Sequence, residues 1–362
     1  MLDLDGPSRI RYIDGLRAVA VLSVVVFHCW IDSGAGGPAL VARMCQMGAH
    51  GVDLFFVLSG FCLAYPHLRR YHARGSADFR IAAFAAKRIT RIVPPYWLAL
   101  VTIVVLGFAH IFGKPPPLLD VVKQLVFFDR DVQFVTRPFW TLPIEFRWYF
   151  LFPLALMAYI RVPRVVLAIA FGSYLLHDFT RLNGALDLGM LPAFLAGIWI
   201  ADLHLVRSRL QRFALPAMLC FGLLAFAFEP SIEHGFFAEE PLGVLAVMAF
   251  VVMAGTVIPL RNLLAHPVIV AIGTGSYGIY LIHDPILWQL EGRFHIAPWF
   301  AGIAAVAIAL GFSRLCERPF VKGRIRDTMV RALEVRAEEI LRWLAFPRHS
   351  CWRGRRRVLR IS

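Results

Sequence analysis

Charge is scarce in this sequence: 17% of its 362 residues are Asp, Glu, Lys or Arg, against roughly a quarter in an ordinary soluble domain. With 59% hydrophobic residues and a mean hydropathy of +0.64, the chain could not cover a water-facing surface with polar groups, which excludes a soluble globular fold. Cysteine pairing is also missing. Cys29, Cys45, Cys62, Cys220, Cys316 and Cys351 show no paired spacing, so neither a disulfide framework nor a zinc site is expected. The first apolar segment has no small-residue cleavage site and holds Arg17 within it, which argues for a retained span over a removed signal peptide. No internal repeat is evident, against an inverted-repeat transporter. No nucleophilic serine motif is present.

Long apolar runs are what the chain does contain. Ten of them, at 12–30, 46–64, 92–113, 140–160, 163–179, 186–203, 213–229, 241–259, 267–290 and 296–316, are long enough to cross a bilayer core. The predicted fold is therefore all-α: a polytopic membrane protein with about ten transmembrane helices.

The net charge of +14 does not point to nucleic acid, because of where it lies. If the chain starts inside and ten spans alternate, most basic residues outside the spans fall on the inner side. Arg69, Arg70, Arg74, Arg80, Lys87, Arg88 and Arg91 share one such loop, and thirteen more lie between Arg318 and Arg360. The loop 230–240, with Glu233, Glu239 and Glu240 and no basic residue, falls outside. This is the positive-inside pattern, and it predicts cytoplasmic termini.

Residues 1–320 read as one transmembrane domain and 321–362 as a basic cytoplasmic tail. The long outer loop 114–138 opens on Lys114-Pro115-Pro116-Pro117, which cannot continue a helix. Within the tail, Ile325, Met329, Leu333, Ile340 and Leu344 recur at helical spacing among Arg and Glu, as in an amphipathic helix lying on the inner leaflet. The following Arg353, Arg355, Arg356 and Arg357 suit anionic headgroups, each charge contributing on the order of 1 kcal/mol. A solvated tail is the alternative.

The polar residues inside the spans carry the functional information. Arg17 and His28 are eleven residues apart, which returns both to one helix face about 16 Å apart along the axis. Ionisable groups within a membrane usually mark substrate or proton pathways. A snorkelling Arg and a hydrogen-bonded core His are the bland alternative. The alternating topology puts Arg17 toward the cytoplasm and gathers His28, Asp53, Glu145, His283 and Asp284 in the outer half, with Arg147 further along the fourth span. A carboxylate beside an imidazole orients it and raises its basicity, as a general base for an alcohol requires. Without a serine motif, direct attack by an activated hydroxyl fits better than an acyl-enzyme. A structural polar network between helices is the competing reading. On the inner side Arg88 and Arg91 share a helix face just before Pro94-Pro95, expected to open the third span. They are either phosphate ligands or plain topology charges.

Several of these residues stand in segments resembling one family. Arg11-Tyr-Ile-Asp14-Gly15-Leu16-Arg17, followed by His28, resembles the opening R-x10-H motif of acyltransferase family 3, integral-membrane enzymes that O-acylate sugars and related acceptors. Gly51-Val-Asp53-Leu-Phe-Phe-Val-Leu-Ser59-Gly60-Phe61 is similar to its second-span signature, and Arg88-Ile-Thr-Arg91 to its R-x-x-R pair. Phe139-Trp140-Thr141-Leu142-Pro143-Ile144-Glu145 resembles its W-[ST]-L-x-x-E segment. Ser276-Tyr277-Gly278-Ile279-Tyr280-Leu281-Ile282-His283-Asp284-Pro285 resembles its S-Y-x-x-Y-L-x-H-x-P pattern, and Glu317-Arg318-Pro319 its closing E-x-P. Six motifs in family order span about residues 11–320.

The resemblance implies a cytoplasmic acyl-CoA donor, acetyl-CoA being the commonest; separately, no metal is expected. It implies essential roles for Arg17 and His28 and places Arg88 and Arg91 near the donor. Trp140, Tyr277 and His283 are expected to contact a carbohydrate or glycolipid acceptor. Some relatives carry a further hydrolase-like domain that completes the transfer. The tail here is too short to be one, so acceptor chemistry is expected to finish within the membrane domain or with a separate partner. In the expected mechanism Arg88, Arg91 and Arg17 hold the donor phosphates. His28, polarised by Asp53 or Glu145, deprotonates the acceptor hydroxyl. A proton-coupled transporter or flippase of a glycan precursor is the alternative from another class, since the same His, Asp and Glu residues could relay protons. A membrane scaffold with a recruiting tail leaves the buried ionisable residues without a use.

Overall fold

The computed structural model describes residues 10–75, 79–107, 116–128, 132, 134–177, 190–228 and 241–345, and every regular element among them is helical. A chain this apolar has few other options: in lipid, backbone N–H and C=O groups must pair within the segment, which a helix does. The acidic loop 230–240, the residues Lys114-Pro115 and the cluster Arg353–Arg357 lie outside the described residues.

The first long helix, α1 (Arg11–Asp32), is followed by α2 (Ala39–Gln46), a 3₁₀ turn over Met47–His50, and α3 (Gly51–Arg74). Next come α4 (Ile81–Val105) and the short α5 (Leu118–Leu125). A 3₁₀ turn over Arg137–Trp140 leads into α6 (Thr141–Arg161), then α7 (Pro163–His177), α8 (Leu191–Leu205) and α9 (Ala214–Phe228). The last third holds α10 (Pro241–Thr256), α11 (Ile258–Leu264), α12 (Pro267–Thr274), α13 (Ser276–Phe294) and α14 (Pro298–Phe312). A π turn over Ser313–Glu317 joins α14 to α15 (Arg318–Val321), and α16 (Arg324–Ala345) follows.

Among the described residues, five helices are long and apolar enough to cross a membrane: α1, α2 with α3, α4, α9 with the turn before it, and α14 with α15. A sixth is added if α10 and α11, bent by 95°, form one span. The other expected segments fall short for physical reasons. α7 and α8 have 15 residues each, and α6 and α13 carry Glu145, Arg147, His283, Asp284 and Glu291. Two boundaries also differ from expectation. Pro94 and Pro95 do not open a helix; α4 begins at Ile81 and runs through them, taking Arg88 and Arg91 inside. The run 267–290 is broken at Gly275 into α12 and α13.

The core is organised around α1. Leu16, Ala20 and Val21 are fully buried, and the helix packs against α3, α12, α13 and α14. α3 and α8 approach closely where Gly60 faces Gly197: a Cβ on Gly60 would lie 2.0 Å from the Phe194 carbonyl oxygen, and one on Gly197 2.1 Å from that of Val57. Small residues at a crossing let two backbones touch, a common solution in membrane bundles. Toward the outside, α9 exposes Leu215, Leu219, Leu223 and Phe228, and α4 exposes Trp97, Leu98, Val101 and Val105. These are faces that suit lipid. α16 docks on the start of α4 through Arg80, which reaches Glu334 at 2.6 Å and Glu338 at 3.6 Å.

Candidate active site

α1 is unbroken, so Arg17 and His28 are held one above the other on a single rigid element. At its far end the His28 side chain is buried, and its Nδ1 lies 2.9 Å from His283 Nε2, the two rings stacked within 10°. His283 Nδ1 faces two backbone carbonyls, Ile279 at 2.9 Å and Tyr280 at 3.0 Å. A carbonyl can only accept, so His283 carries its proton on Nδ1. In the neutral ring Nε2 then accepts, and His28 Nδ1–H donates to it. This leaves His28 Nε2 with a lone pair, the form a general base needs.

The carboxylate beside His28 is Asp284, with Oδ1 3.7 Å from His28 Nδ1. Its oxygens are taken by two consecutive residues. Oδ2 accepts from Thr136 Oγ1 at 2.6 Å and from the Arg137 backbone N–H at 3.1 Å; Oδ1 accepts from Arg137 Nε at 2.7 Å and from Nη2. The same guanidinium forks onto Asp32, Nη1 and Nη2 each 2.8 Å from a carboxylate oxygen. Burial pushes the Arg137 guanidinium down, but Asp284 and Asp32 outweigh it and hold its pKa above the ordinary value.

At the other end of α1 lies a partly open cavity, its space of about 810 Å³ including open solvent, lined by Arg17, Arg88 and Arg91, by Glu145, and by Tyr149, Tyr277 and Tyr280. Glu145 accepts a short bond from Tyr149 Oη and one of 3.1 Å from Ser59 Oγ. Arg88 lies over the rings of Phe84 and Tyr149, 5.7 and 6.0 Å from their centres, and its Nε has no hydrogen-bond partner among the described residues. Tyr277 Oη donates to the Ile92 carbonyl at 3.0 Å. A second, partly open cavity, its space of about 1200 Å³ including open solvent, shares Arg17 and Arg91 with the first and adds Arg314, Arg318 and Lys322 against Asp14 and Glu317. Glu317 is occupied by Ser313 Oγ at 2.6 Å and the Gly278 N–H at 3.0 Å. Tyr280 links cavity and histidines: it lines the former, its carbonyl accepts from His283, and its hydroxyl donates to the Pro138 carbonyl at 3.0 Å.

A family model described as an acyltransferase domain matches residues 10–318. The chain belongs to the acyltransferase 3 family. Two Staphylococcus aureus proteins, the O-acetyltransferases OatA of strains NCTC 8325 and COL, are each 24% identical over 368 residues, covering 87% of this chain and 58% of the relative. A further protein of strain COL, provisionally named as an O-acetyltransferase, is 24% identical over 374 residues, 88% of this chain and 59% of its own length. The chain thus spans less than two thirds of the curated relatives it matches. No solved structure matches it.

Within this acyltransferase 3 chain the expected site residues separate into three groups. His28, His283 and Asp284 come together. Arg17, Arg88, Arg91, Glu145 and Tyr277 line the cavity. Asp53 lies apart, its Oδ2 2.7 Å from His50 Nδ1, and Trp140 packs on the core at the head of α6. The expectation that Asp53 or Glu145 orients His28 is therefore corrected. Asp53 is turned to the histidine three residues before it and Glu145 to Ser59 and Tyr149, while His28 meets His283 and Asp284. Sequence reasoning missed Thr136 altogether, and Arg137 and Asp32 stood in it at most as loop charges. Asp32 falls one helical turn after His28, which was a usable signal; nothing local marks Arg137 as its partner.

Proposed function

We propose that this protein is a multi-pass membrane O-acyltransferase. It would move an acyl group, acetyl foremost, from cytoplasmic acyl-CoA to a hydroxyl of a sugar or polysaccharide precursor. The observation that carries this reading is that two unlike cavities have Arg17 and Arg91 in common in their walls. The wider one is basic and suits the phosphates of a nucleotide-bearing donor. The narrower one is aromatic and ends at Tyr280, one turn before His283. A long thioester arm needs that sequence of environments: charge at the mouth, apolar walls within, a base at the end.

In the reaction, His28 Nε2 takes the proton of the acceptor hydroxyl as its oxygen attacks the thioester carbonyl. The carbon–sulfur bond breaks, the ester forms, and the imidazolium returns the proton to the departing thiolate. While charged, the imidazolium faces the Asp284 carboxylate. Arg88, Arg91 and Arg17 hold donor phosphate, and Arg88 is suited by its spare buried donor atom. The same reading takes about ten spans with cytoplasmic termini in the plasma membrane, and a tail that touches anionic lipid.

The test is turnover by the full chain in lipid nanodiscs, supplied with acetyl-CoA and cell-envelope glycan. Free CoA is expected to appear only with acceptor present, and mass spectrometry of envelope glycans is expected to lose an ester mass in strains without the protein. Passage of labelled glycan across the membrane unmodified, with no CoA release, would replace the enzyme by a transporter.

A further inference from the structure

Among the described residues, Arg137 is the best-anchored ionic group that the reaction above does not use. It sits off the bundle helices, in the turn before α6, yet it contacts both helices that carry the histidines. On α1 it forks onto Asp32, four residues after His28. On α13 it grips Asp284, adjacent to His283, with Thr136 and its own backbone N–H closing the other carboxylate oxygen. The His28–His283 bond of 2.9 Å lies between these two anchor points.

We infer that Arg137 is a positioning residue for acyl transfer: it ties α1 to α13 so that His283 fixes the tautomer of His28, and it leaves the network one negative charge to meet the imidazolium. The charge count supports the second half. Arg137 with Asp32 and Asp284 sums to minus one, which a protonated His28 neutralises without any movement. Among groups on neighbouring elements, Glu291 of α13 lies near Asp32, Arg137 and Asp284 and brings no competing cation. Geometry supports the first half. A guanidinium places two parallel N–H groups on one carboxylate and a third on another; an ammonium has one centre and cannot reproduce that fork. A shift of about 1 Å at a reacting group can cost on the order of a hundredfold in rate.

The inference rests on the proposed transferase reading, so the experiment separates the two. Wild type, Arg137→Lys, Arg137→Met and Asp32→Asn are purified as full chains in nanodiscs. Acceptor-dependent CoA release, acetyl-CoA affinity and melting temperature are measured for each. A wild type that releases no CoA overturns the transferase reading itself. Given wild-type turnover, Arg137→Lys is expected to lose about a hundredfold in kcat with the KM for acetyl-CoA within about twofold, and Asp32→Asn about tenfold, again in kcat. A merely structural arginine would instead lower melting temperature and donor affinity together and be rescued by lysine. Should both Arg137 variants fail to fold, folded Asp32→Asn decides. One further readout needs no turnover: diethyl pyrocarbonate modification of His28, read by peptide mass spectrometry, is expected to quicken several-fold in Arg137→Lys as the imidazole pair loosens. Wild-type kcat in folded Arg137→Lys or Asp32→Asn, or unchanged His28 reactivity, overturns the inference.

Discussion

The two ends of α1 face opposite situations. Around His28 the hydrogen bonds are closed: His283 has both ring nitrogens engaged, and Asp284 takes four donor groups from Thr136 and Arg137. Around Arg17 they are open, with three arginines lining empty space and Arg88 Nε without a partner among the described residues. A buried unsatisfied donor costs about 1–3 kcal/mol, so it persists where a ligand supplies the missing acceptor. A closed network has the opposite use: it fixes an orientation before substrate arrives, which is where rate comes from. One helix thus presents the proposed base at one end and the proposed donor-binding cation cluster at the other.

The widest separation between the ends comes from His28→Ala. It removes the base and leaves the cavity intact, so transfer is expected to fall by about 10²–10⁴-fold with acetyl-CoA affinity unchanged. Parallel measurements of turnover and of donor binding by calorimetry check both halves; wild-type transfer in a folded His28→Ala protein ends the base assignment. The converse change is Arg88→Ala with Arg91→Ala. Two charge-assisted contacts of about 1.5–3 kcal/mol each are lost. Donor affinity is expected to drop by at least about a hundredfold, while turnover at saturating donor stays within a few-fold. Unchanged CoA binding would return both arginines to the role of topology charges.

What could be read from the sequence was one coordinate of this arrangement. Helical periodicity placed Arg17 and His28 on one face because both lie on one uninterrupted element. The alternation of spans assigned His28, Asp53, Glu145, His283 and Asp284 one depth. Depth does not fix direction around a bundle, and direction decides contact. α6 turns Glu145 toward Ser59 and the cavity, and the turn before α3 puts His50 beside Asp53. The His28–His283 bond joins residues 255 apart, and Arg137 reaches across 105 to Asp32 and 147 to Asp284. No local pattern encodes those distances. The prolines misled for a related reason: in lipid, neighbouring helices stabilise a proline-containing helix that water would break.

Gly60→Ala probes the frame that holds both ends. The added methyl meets backbone, which cannot swing aside, so α3 and α8 must part. Overpacking of this kind typically costs about 1–3 kcal/mol, and a lower melting temperature in detergent is expected. Because Ser59 and Cys62 flank this crossing and line the cavity, donor affinity is expected to weaken before kcat does. A fall in kcat alone would mean that the frame serves the histidines instead.

The smallest expected effect is the most direct test of whether the two ends are separate at all. Tyr280 belongs to both, lining the cavity and accepting from His283 through its carbonyl. In Tyr280→Phe the carbonyl stays and the hydroxyl goes, with its bonds to Thr141 at 2.8 Å and to Pro138 at 3.0 Å. Thr141 Oγ1 still reaches the Pro138 carbonyl at 3.2 Å, so no buried acceptor is stranded. The loss is then that of about one net hydrogen bond, on the order of 1 kcal/mol, and turnover is expected to fall three- to tenfold. The informative quantity is which constant moves. A change confined to kcat means that the Tyr280 hydroxyl acts through Pro138, next to Arg137, on the histidine end. A rise in the KM for acetyl-CoA would make Tyr280 part of the donor wall and shift the boundary between the two regions one turn toward His28.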